Sequence, residues 1–431
     1  MKKENNLSQP EIHPFGFDHI IDIKQQVFDN GVAFNLIPLE DTRIVMVDFF
    51  FHGCKWHQSR CLQAYFSSVL LCASTTEHDA DTLAKIIDNN GASIYGRTGY
   101  WGTSITLLCL SKNLRTMMEV MKSVLTHPTF DQKRFSNAVS TMKQNLAINL
   151  QDVNSVCFDE FLNALYGKSH PTTSWAQLDD YDTLTREDLL AFHEQFICSS
   201  DCQIWMTGNI TDEAVDLVNG YFGKSSWGKG NFVYQDPVWP EINPSPEQTI
   251  LKKMDGVQSA ILTGKLLPRW DHPDFTKIMV ATTLLGGYFG SRLMTNIREE
   301  KGLTYSIYAS LRQTLCETAL MITTATANET AARVIEEIRK EIQRMRTERV
   351  GDDELERAKN YMIGYACRKH EAGLGLSKML MTTSMKGRPY DYIVTENRLV
   401  RDTSADDVLD IANRYFNPDT MKLCVVGNAS L

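Results

Sequence analysis

Three side chains that could chelate a metal ion lie close together near the start of the chain. His52, Cys54 and His57 occur in the sequence His-Gly-Cys-Lys-Trp-His, and imidazole and thiolate groups are ligands that Zn²⁺ prefers. The surrounding residues are typical of a loop, and no Cys-x-x-Cys pair occurs anywhere to complete a four-ligand site. We therefore interpret this cluster as structural.

Other histidines also suggest packing rather than chemistry. His193, in Phe-His-Glu-Gln-Phe, is expected to pack against neighbours or to cap a helix. His370 and Glu371 end a long helical pattern and are expected to lie on a solvated face.

The most ordered pattern in the chain runs from Gly286 to Ala309. It opens with glycines, which permit turns and close backbone approach. Leu293 and Ile297 fall on one face of a predicted helix, and Gly302 stands where a helix C-cap would. The local pattern predicts a glycine-capped helix that continues into a strand.

That strand is predicted over Leu303–Ala309, with Leu303, Tyr305 and Ile307 on one side. The whole stretch resembles the C-terminal-half signature of the M16 (pitrilysin-type, inverted zinc-motif) metallopeptidases, roughly G-G-x-x-x-S-R-L-x-x-x-I-R-E-x-x-G-L-x-Y. The resemblance implies that Arg298 and Tyr305, which match the arginine and tyrosine of that signature, reach into a zinc cleft and hold the substrate carbonyl. It extends over essentially the whole chain after about residue 25.

The resemblance also implies a zinc site in the first half, made by a His-x-x-Glu-His helix and a distal glutamate. Aligned on the apolar pattern of the helix predicted over 60–74, these positions fall at Tyr65, Ser68, Val69 and Asn145. Val69 has no donor atom, and tyrosine and asparagine are poor zinc ligands at neutral pH. Without glutamate at Ser68 there is no general base for the attacking water. The first half is therefore predicted to carry a degenerate site without metal.

Two further positions depart from the family pattern. Tyr95 stands where the resemblance implies an asparagine that grips the substrate backbone. Glu77 and His78 could end a second His-x-x-Glu-His motif, but Ser74 occupies the place of its first histidine.

Local periodicity predicts the elements that would position these residues. Asn30-Gly31 is a strong hairpin signal. The further predictions are a strand over 45–51, helices near 60–74 and 79–89, strands near 92–98 and 101–110, and helices near 112–125 and 131–150.

The chain also contains a hidden repeat. Residues 196–209 and 415–428 both read as a helix end, a short polar turn, an apolar strand and Gly-Asn, about half the chain apart. Long helical patterns open at Phe130 and, at a similar offset, at Val350. A repeat of this size favours two similar domains over a solenoid.

Four prolines, at positions 237, 240, 244 and 246, mark a semi-rigid linker between the halves. We therefore predict an α+β fold of two homologous domains, each an antiparallel-rich sheet with helices, arranged like a clam. The expected bounds are 1–228 for the first domain, 229–250 for the linker and 251–431 for the domain that carries Arg298 and Tyr305.

Composition narrows the classes of function. A formal net charge of −9 and a pI near 5.6 argue against a nucleic-acid-binding protein. The first ten residues are basic but lack the apolar run of a signal peptide, and no apolar run long enough for a transmembrane helix occurs. The scattered cysteines favour a reducing compartment, so a cytoplasmic location without membrane contact is expected.

Two functions from different classes remain. In the first, the chain is the inactive subunit of a heterodimeric M16-type peptidase: it holds no cofactor itself, pairs with a zinc-containing M16 chain, and contributes Arg298 and Tyr305 in trans to a peptide substrate. In the second, it is a non-catalytic peptide-binding or scaffold protein of the same fold. A single-chain peptidase with an unfamiliar metal site is a third, weaker possibility.

Overall fold

The computed structural model describes residues 23–39, 42–173, 175–235, 240–371 and 373–430. Within these ranges, two mixed β-sheets each carry a layer of helices. The strands of the first sheet are β1 Lys24–Val27, β2 Ala33–Pro38, β3 Ile44–Phe51, β4 Ser93–Thr98, β5 Thr103–Leu110 and β6 Gln203–Gly208. Those of the second are β7 Thr249–Lys253, β8 Gln258–Leu267, β9 Ile307–Gln313, β10 Thr318–Ala327 and β11 Lys422–Gly427.

The α-helices lie between these strands, mostly in runs of several consecutive helices. In the first half they are α1 Gln63–Leu70, α2 Ala80–Asn89, α3 Leu114–Thr126, α4 Gln132–Asn149, α5 Val153–Tyr166, α6 Leu178–Thr183, α7 Arg186–Phe196 and α8 Asp212–Phe222. In the second half they are α9 Phe275–Thr282, α10 Ala331–Thr347, α11 Asp352–Glu371, α12 Gly375–Met385, α13 Tyr392–Asp402 and α14 Ala405–Tyr415.

The two sheets have the same strand topology. The first has the order β1-β2-β6-β3-β5-β4 and the second the order β7-β11-β8-β10-β9. Apart from the added hairpin strand β1, each sheet has one parallel pair, β2 with β6 or β7 with β11, followed by antiparallel pairs. The repeat inferred from sequence is therefore a repeat of architecture, and the predicted two-domain α+β class is confirmed.

The Gly-Asn signal at the end of each repeat has a conformational cause. Gly208 and Gly427 end the equivalent strands β6 and β11 with positive φ angles of 118° and 148°. A Cβ atom at Gly208 would lie 2.2 Å from the Ile44 carbonyl oxygen, and one at Gly427 would lie 2.3 Å from Ser259 Oγ. Both positions exclude other residues by backbone conformation and by space.

The two halves exchange one helix each across the middle of the molecule. Helix α5 precedes the linker but packs on β8 and β11 of the second sheet, through residues such as Phe161 and Leu162. Helix α12 belongs to the second half but covers the first sheet, where Leu376 and Leu380 pack against Trp205. Each of these two helices therefore packs on the sheet of the other half of the sequence.

A row of polar side chains crosses the first sheet beneath α12. The strand register places Tyr95, Thr106, Asp48, Trp205 and Asn35 side by side on five adjacent strands. Asp48 is fully buried there, where it accepts hydrogen bonds from the Thr106 and Ser377 hydroxyl groups. The polar row is thus completed by the second half of the chain, because Ser377 lies on α12.

Most of the predicted elements of the first half are present, with ends shifted by a few residues. The hairpin forms between β1 and β2 with Gly31 at φ 86°. The predicted linker contains no helix where it is described, and β7 begins at Thr249 inside it. Phe232, before the gap at 236–239, packs against Phe196 of the first half. The N-terminal ten residues and Pro237 lie outside the described residues.

Candidate functional site

The stretch that carries Arg298 and Tyr305 is built on two π-helical segments, Thr283–Gly287 and Met294–Glu300. The first packs so closely on β9 that a Cβ at Gly286 would lie 2.5 Å from the Ala309 nitrogen. Leu293 and Ile297, which were predicted to share one helix face, are both buried. Wide π turns are rare and occur frequently at functional sites.

Buried charges hold the second segment in place. Arg292 donates two hydrogen bonds to Glu354 of α11, at 2.7 and 3.0 Å. Asn296 donates one of 2.6 Å to Glu341 of α10. Lys301 hydrogen-bonds Glu337, and this bond lowers the pKa of Glu337 to about 2. These contacts fix the segment to two helices, so its exposed residues stand on a rigid base.

The segment ends as predicted at Gly302, which has φ 61° and donates to the Arg298 carbonyl at 3.1 Å. The strand predicted from Leu303, however, begins only at Ile307. Thr304 explains the difference, because its hydroxyl donates to the Ala325 carbonyl at 2.7 Å and accepts from the Ser306 amide. The prediction that Leu303, Tyr305 and Ile307 share one side is wrong.

This local turn leaves Tyr305 87% exposed, whereas Leu303 and Ile307, two residues away on either side, are buried. The Arg298 guanidinium lies 4.8 Å from the centroid of the Phe289 ring and 5.6 Å from that of Tyr305. No acidic side chain of the described ranges lies within ion-pair distance of Arg298. Arg298 is thus held by two aromatic faces, a favourable cation–π arrangement, and its donors point to no carboxylate.

Phe289 was not predicted from sequence, although it is 60% exposed in the loop Gly-Tyr-Phe-Gly. The preceding residue, Tyr288, is partly buried and leads to two exposed tyrosines of α11. Tyr288 stacks on Tyr361 with centroids 5.2 Å apart, and Tyr361 stacks on Tyr365 at 6.3 Å. Such a patch is uncommon on a free surface and is typical of a binding face.

The structure places the four degenerate zinc positions on two facing helices. The Tyr65 hydroxyl on α1 and the Asn145 amide on α4 both approach the sulfur of Met142, at 3.8 and 4.0 Å. Ser68 donates to the Tyr65 carbonyl at 2.8 Å, and Val69 is 42% exposed. Tyr65 and Asn145 are therefore brought together, whereas Ser68 is occupied by its own helix.

This arrangement does not fit a zinc ion. The thioether of Met142 stands between the two polar groups, Val69 offers no donor atom, and the Ser68 hydroxyl is committed to backbone. Among the described residues, no group of three histidine, cysteine or carboxylate side chains could hold a metal.

Tyr95 has a different role from the asparagine implied by the resemblance. Its hydroxyl accepts a hydrogen bond of 3.1 Å from Lys378 of α12. The Lys378 ammonium also lies 5.2 Å from the centroid of the Tyr95 ring. Tyr95 therefore contacts the second half of its own chain.

The His52, Cys54 and His57 cluster is structural. Asp201 binds His52 Nδ1 at 2.7 Å and accepts from the His52 and Gly53 amides. Cys54 lies 3.5 Å from His57, as in a nucleophile and base pair, but burial raises the pKa of the Cys54 thiol to about 12. A thiol with that pKa is not a nucleophile at neutral pH.

His193 packs as expected. It is buried, and its Nε2 donates to the Leu125 carbonyl at 2.9 Å, while burial lowers its pKa to about 4. The side chains of His370 and Glu371 lie outside the described residues. None of the helices in the described ranges is long and apolar enough to cross a bilayer.

Two family models match consecutive parts of the chain. The model of the insulinase (peptidase family M16) domain matches residues 63–175, which includes α1 and α4. The model of the peptidase M16 inactive domain matches residues 183–362, which includes Arg298 and Tyr305. Together they cover more than half of the chain.

Similar proteins carry related names. An uncharacterized zinc protease of Mycobacterium leprae is 28% identical over 253 residues, which cover 58% of this chain and 56% of that protein. A non-peptidase homolog of Helicobacter pylori, YmxG, is 22% identical over 373 residues, 83% of each chain. The chain thus spans little more than half of the first relative.

A solved structure agrees with the fold. The crystal structure of a peptidase M16 inactive domain from Pseudomonas fluorescens superposes with a TM-score of 0.81 at 18% identity, over 95% of this chain and 99% of that chain. The signature stretch, the repeated sheet and both family models lead to one assignment: the chain belongs to the M16 peptidase family.

Proposed function

We propose that this chain is the non-catalytic subunit of a heterodimeric M16 peptidase. In this proposal it pairs with a zinc-containing M16 chain and presents Arg298 and Tyr305 to the peptide bound there. The observation that carries the proposal is that Arg298 is anchored between two exposed aromatic rings, with no carboxylate partner among the described residues. An arginine that served only for packing would not require an exposed tyrosine beside it.

The chemistry suits amide hydrolysis. Attack of hydroxide on a peptide carbonyl places negative charge on its oxygen, and preorganised donors stabilise that charge. A guanidinium and a phenol hydroxyl are such donors. The partner would supply the zinc ion and its bound water, since the residues at Tyr65, Ser68, Val69 and Asn145 do not fit a metal.

The surroundings support binding of a partner or of a peptide. Phe289, Tyr305 and Tyr308 are 60%, 87% and 50% exposed on one short stretch, and aromatic side chains and arginine are enriched in interfaces. The M16 relative from Helicobacter pylori is named a non-peptidase homolog, which fits a family member without its own zinc chemistry. A cytoplasmic setting is part of the proposal.

The test mixes this chain with a zinc-motif M16 chain from the same genome and measures cleavage of a quenched fluorescent peptide. Cleavage is expected only in the mixture. Arg298→Ala and Tyr305→Phe should each lower kcat by roughly 10²–10³ while the zinc content of the complex stays unchanged. Normal turnover with both variants would disprove the trans role.

Two matched controls separate chemistry from assembly. Tyr221→Phe removes a hydroxyl from α8 of the first half and should leave turnover unchanged. Arg333→Ala removes an exposed arginine from α10. If the wild-type chain forms a stable complex with the zinc-motif chain but the mixture does not cleave the peptide, the result supports a scaffold function and not the trans role.

A further inference from the structure

The second half contains a cavity of about 870 Å³ that neither Arg298 nor Tyr305 lines. It lies between β9, α9, α11, α12 and α13. Its volume falls in the range of sites for small ligands, roughly 300–1,000 Å³. The cavity is therefore large enough for a ligand of its own.

Positive charge dominates the wall. Four cationic side chains line the cavity, Lys369, Lys378, Lys386 and Arg388, against the single carboxylate of Glu396. Arg388 already faces this carboxylate at 3.7 Å. The remaining charge of the wall is thus that of three lysines.

Lys386 is a half-buried cation of the wall whose contacts are an amide and two aromatic rings. Its ammonium donates to the Gln313 side chain at 2.6 Å and lies 5.7 and 5.5 Å from the rings of Trp101 and Trp270. No carboxylate in the described part of the chain forms an ion pair with it. A half-buried ammonium with one amide acceptor has donors left for an anion.

Two buried neutral groups on the wall also lack a protein partner. Asn397 is 7% exposed, and its Nδ2 donates to no atom of the described residues. The hydroxyl of Thr282, 2% exposed, likewise has no partner there. Buried polar groups without partners are rare and costly, so each calls for an explanation.

The rest of the wall is apolar or aromatic. Met279, Met362, Met379 and Ile393 line it together with Tyr361 and Tyr365. Methionine side chains adapt to irregular apolar ligands. The wall therefore combines an apolar body with a basic, hydrogen-bonding part.

We propose that this cavity binds the carboxylate of an amphiphilic acid, with Lys386 as its counter-ion and with Asn397 and Thr282 as neutral donors. Two sources carry this chemistry, the carboxyl end of an apolar peptide and a free aliphatic acid. The proposal concerns this chain alone and needs no partner, so it can hold or fail independently of the trans role of Arg298.

The experiment titrates the full chain by calorimetry with two pairs of probes. One pair is acetyl-Leu-Leu-Phe with a free carboxyl group and the same peptide as its amide. The other pair is decanoate and decanol. Each acid is compared with its neutral analogue. The acid that binds more tightly identifies whether the ligand is a peptide or an aliphatic acid.

We expect at least one acid to bind about tenfold more tightly than its analogue, because a hydrogen bond to a charged group is lost in the latter. Lys386→Met should remove this preference, Lys386→Arg should keep it, and Asn397→Leu should weaken binding of the acid. Equal binding of acid and analogue, or an acid preference that survives Lys386→Met, would overturn the proposal.

A control variant and a measurement of proton uptake on binding test the assignment of Lys386. Lys85→Met removes an exposed lysine from α2 and should change nothing. Burial lowers the pKa of Lys386 to about 8, with Arg388 also lowering it and Glu396 opposing. Binding of a carboxylate above pH 8 should therefore take up a proton, which titrations in buffers of different ionisation enthalpy measure. No uptake at pH 9 would exclude Lys386 as the counter-ion.

Discussion

Asp48 and Ser377 lie 329 positions apart in the sequence, and the Ser377 hydroxyl donates a hydrogen bond of 3.0 Å to the Asp48 carboxylate. The other oxygen of Asp48 accepts from Thr106, and the side chain is fully buried on the central part of the first sheet. A carboxylate inside the sheet therefore takes part in joining the two halves.

Burial raises the pKa of Asp48 above its ordinary value of 3.8. Below pH 3.8 the carboxyl is protonated in both folded and unfolded chains and costs nothing. As the pH rises through the raised pKa, the unfolded chain ionises more readily, so the stability that the protonated form contributes is lost. Asp48→Asn should lack this loss. Urea unfolding of both chains from pH 4 to 8 measures it, and parallel curves would contradict the prediction.

Two arginines of the signature segment should behave in opposite ways. Arg292→Ala breaks a bidentate pair with Glu354 whose side chains are 9% and 26% exposed, and we expect a loss of about 3 kcal/mol in the free energy of unfolding. Arg298→Ala removes no ion pair and should change that free energy by less than about 0.5 kcal/mol. Denaturant titration of the two variants compares them directly. A loss for Arg298→Ala as large as that for Arg292→Ala would indicate that Arg298 is structural.

The Lys301 and Glu337 pair should give a pH dependence of the opposite sign to that of Asp48. Because the pKa of Glu337 falls from 4.5 to about 2, its stabilising effect is complete above pH 4.5 and is lost as the pH falls toward 2. Glu337→Gln should be less stable than wild type at pH 6, and the difference should be much smaller at pH 2.5. Thermal unfolding at the two pH values tests this. A gap of the same size at both would rule out the ion pair as its source.

Local signals in the sequence predict much of each half. Several signals depend only on backbone conformation, which residues adjacent in sequence determine. They are Asn30-Gly31, Gly302 and the two Gly-Asn endings, and all of them lie where expected. The repeat can be recognised in the sequence because the equivalent strands β6 and β11 share an apolar run that ends in glycine. Arg298, Tyr305, Tyr65, Ser68, Val69 and Asn145 were selected through the family resemblance, and their roles stay predictions.

What the sequence does not reveal depends on distant contacts. The apolar face of a helix predicts that this face is buried, but it does not indicate which sheet covers it. The exchange of α5 and α12 therefore could not be predicted from the sequence of either helix. The turn at Thr304 forms because Ala325 lies across from it, and the alternation of Leu303, Tyr305 and Ile307 gave no sign of that. Phe289 beside Arg298 was missed for the same reason, since a loop and the start of the second π-helical segment separate them in the sequence.

The exchanged helices also set an order in time. A chain made from its N-terminus produces α5 early, but the strands that cover Phe161 and Leu162 of this helix include β11, Lys422–Gly427, which follows every other strand of the second sheet in the sequence. Likewise, the inner face of the first sheet waits for α12. Exposed apolar surface on incomplete chains promotes aggregation. A chain released from the ribosome between these segments is therefore expected to aggregate. Until β11 and α12 have been made, α5 and the first sheet therefore expose apolar surface that the complete fold buries.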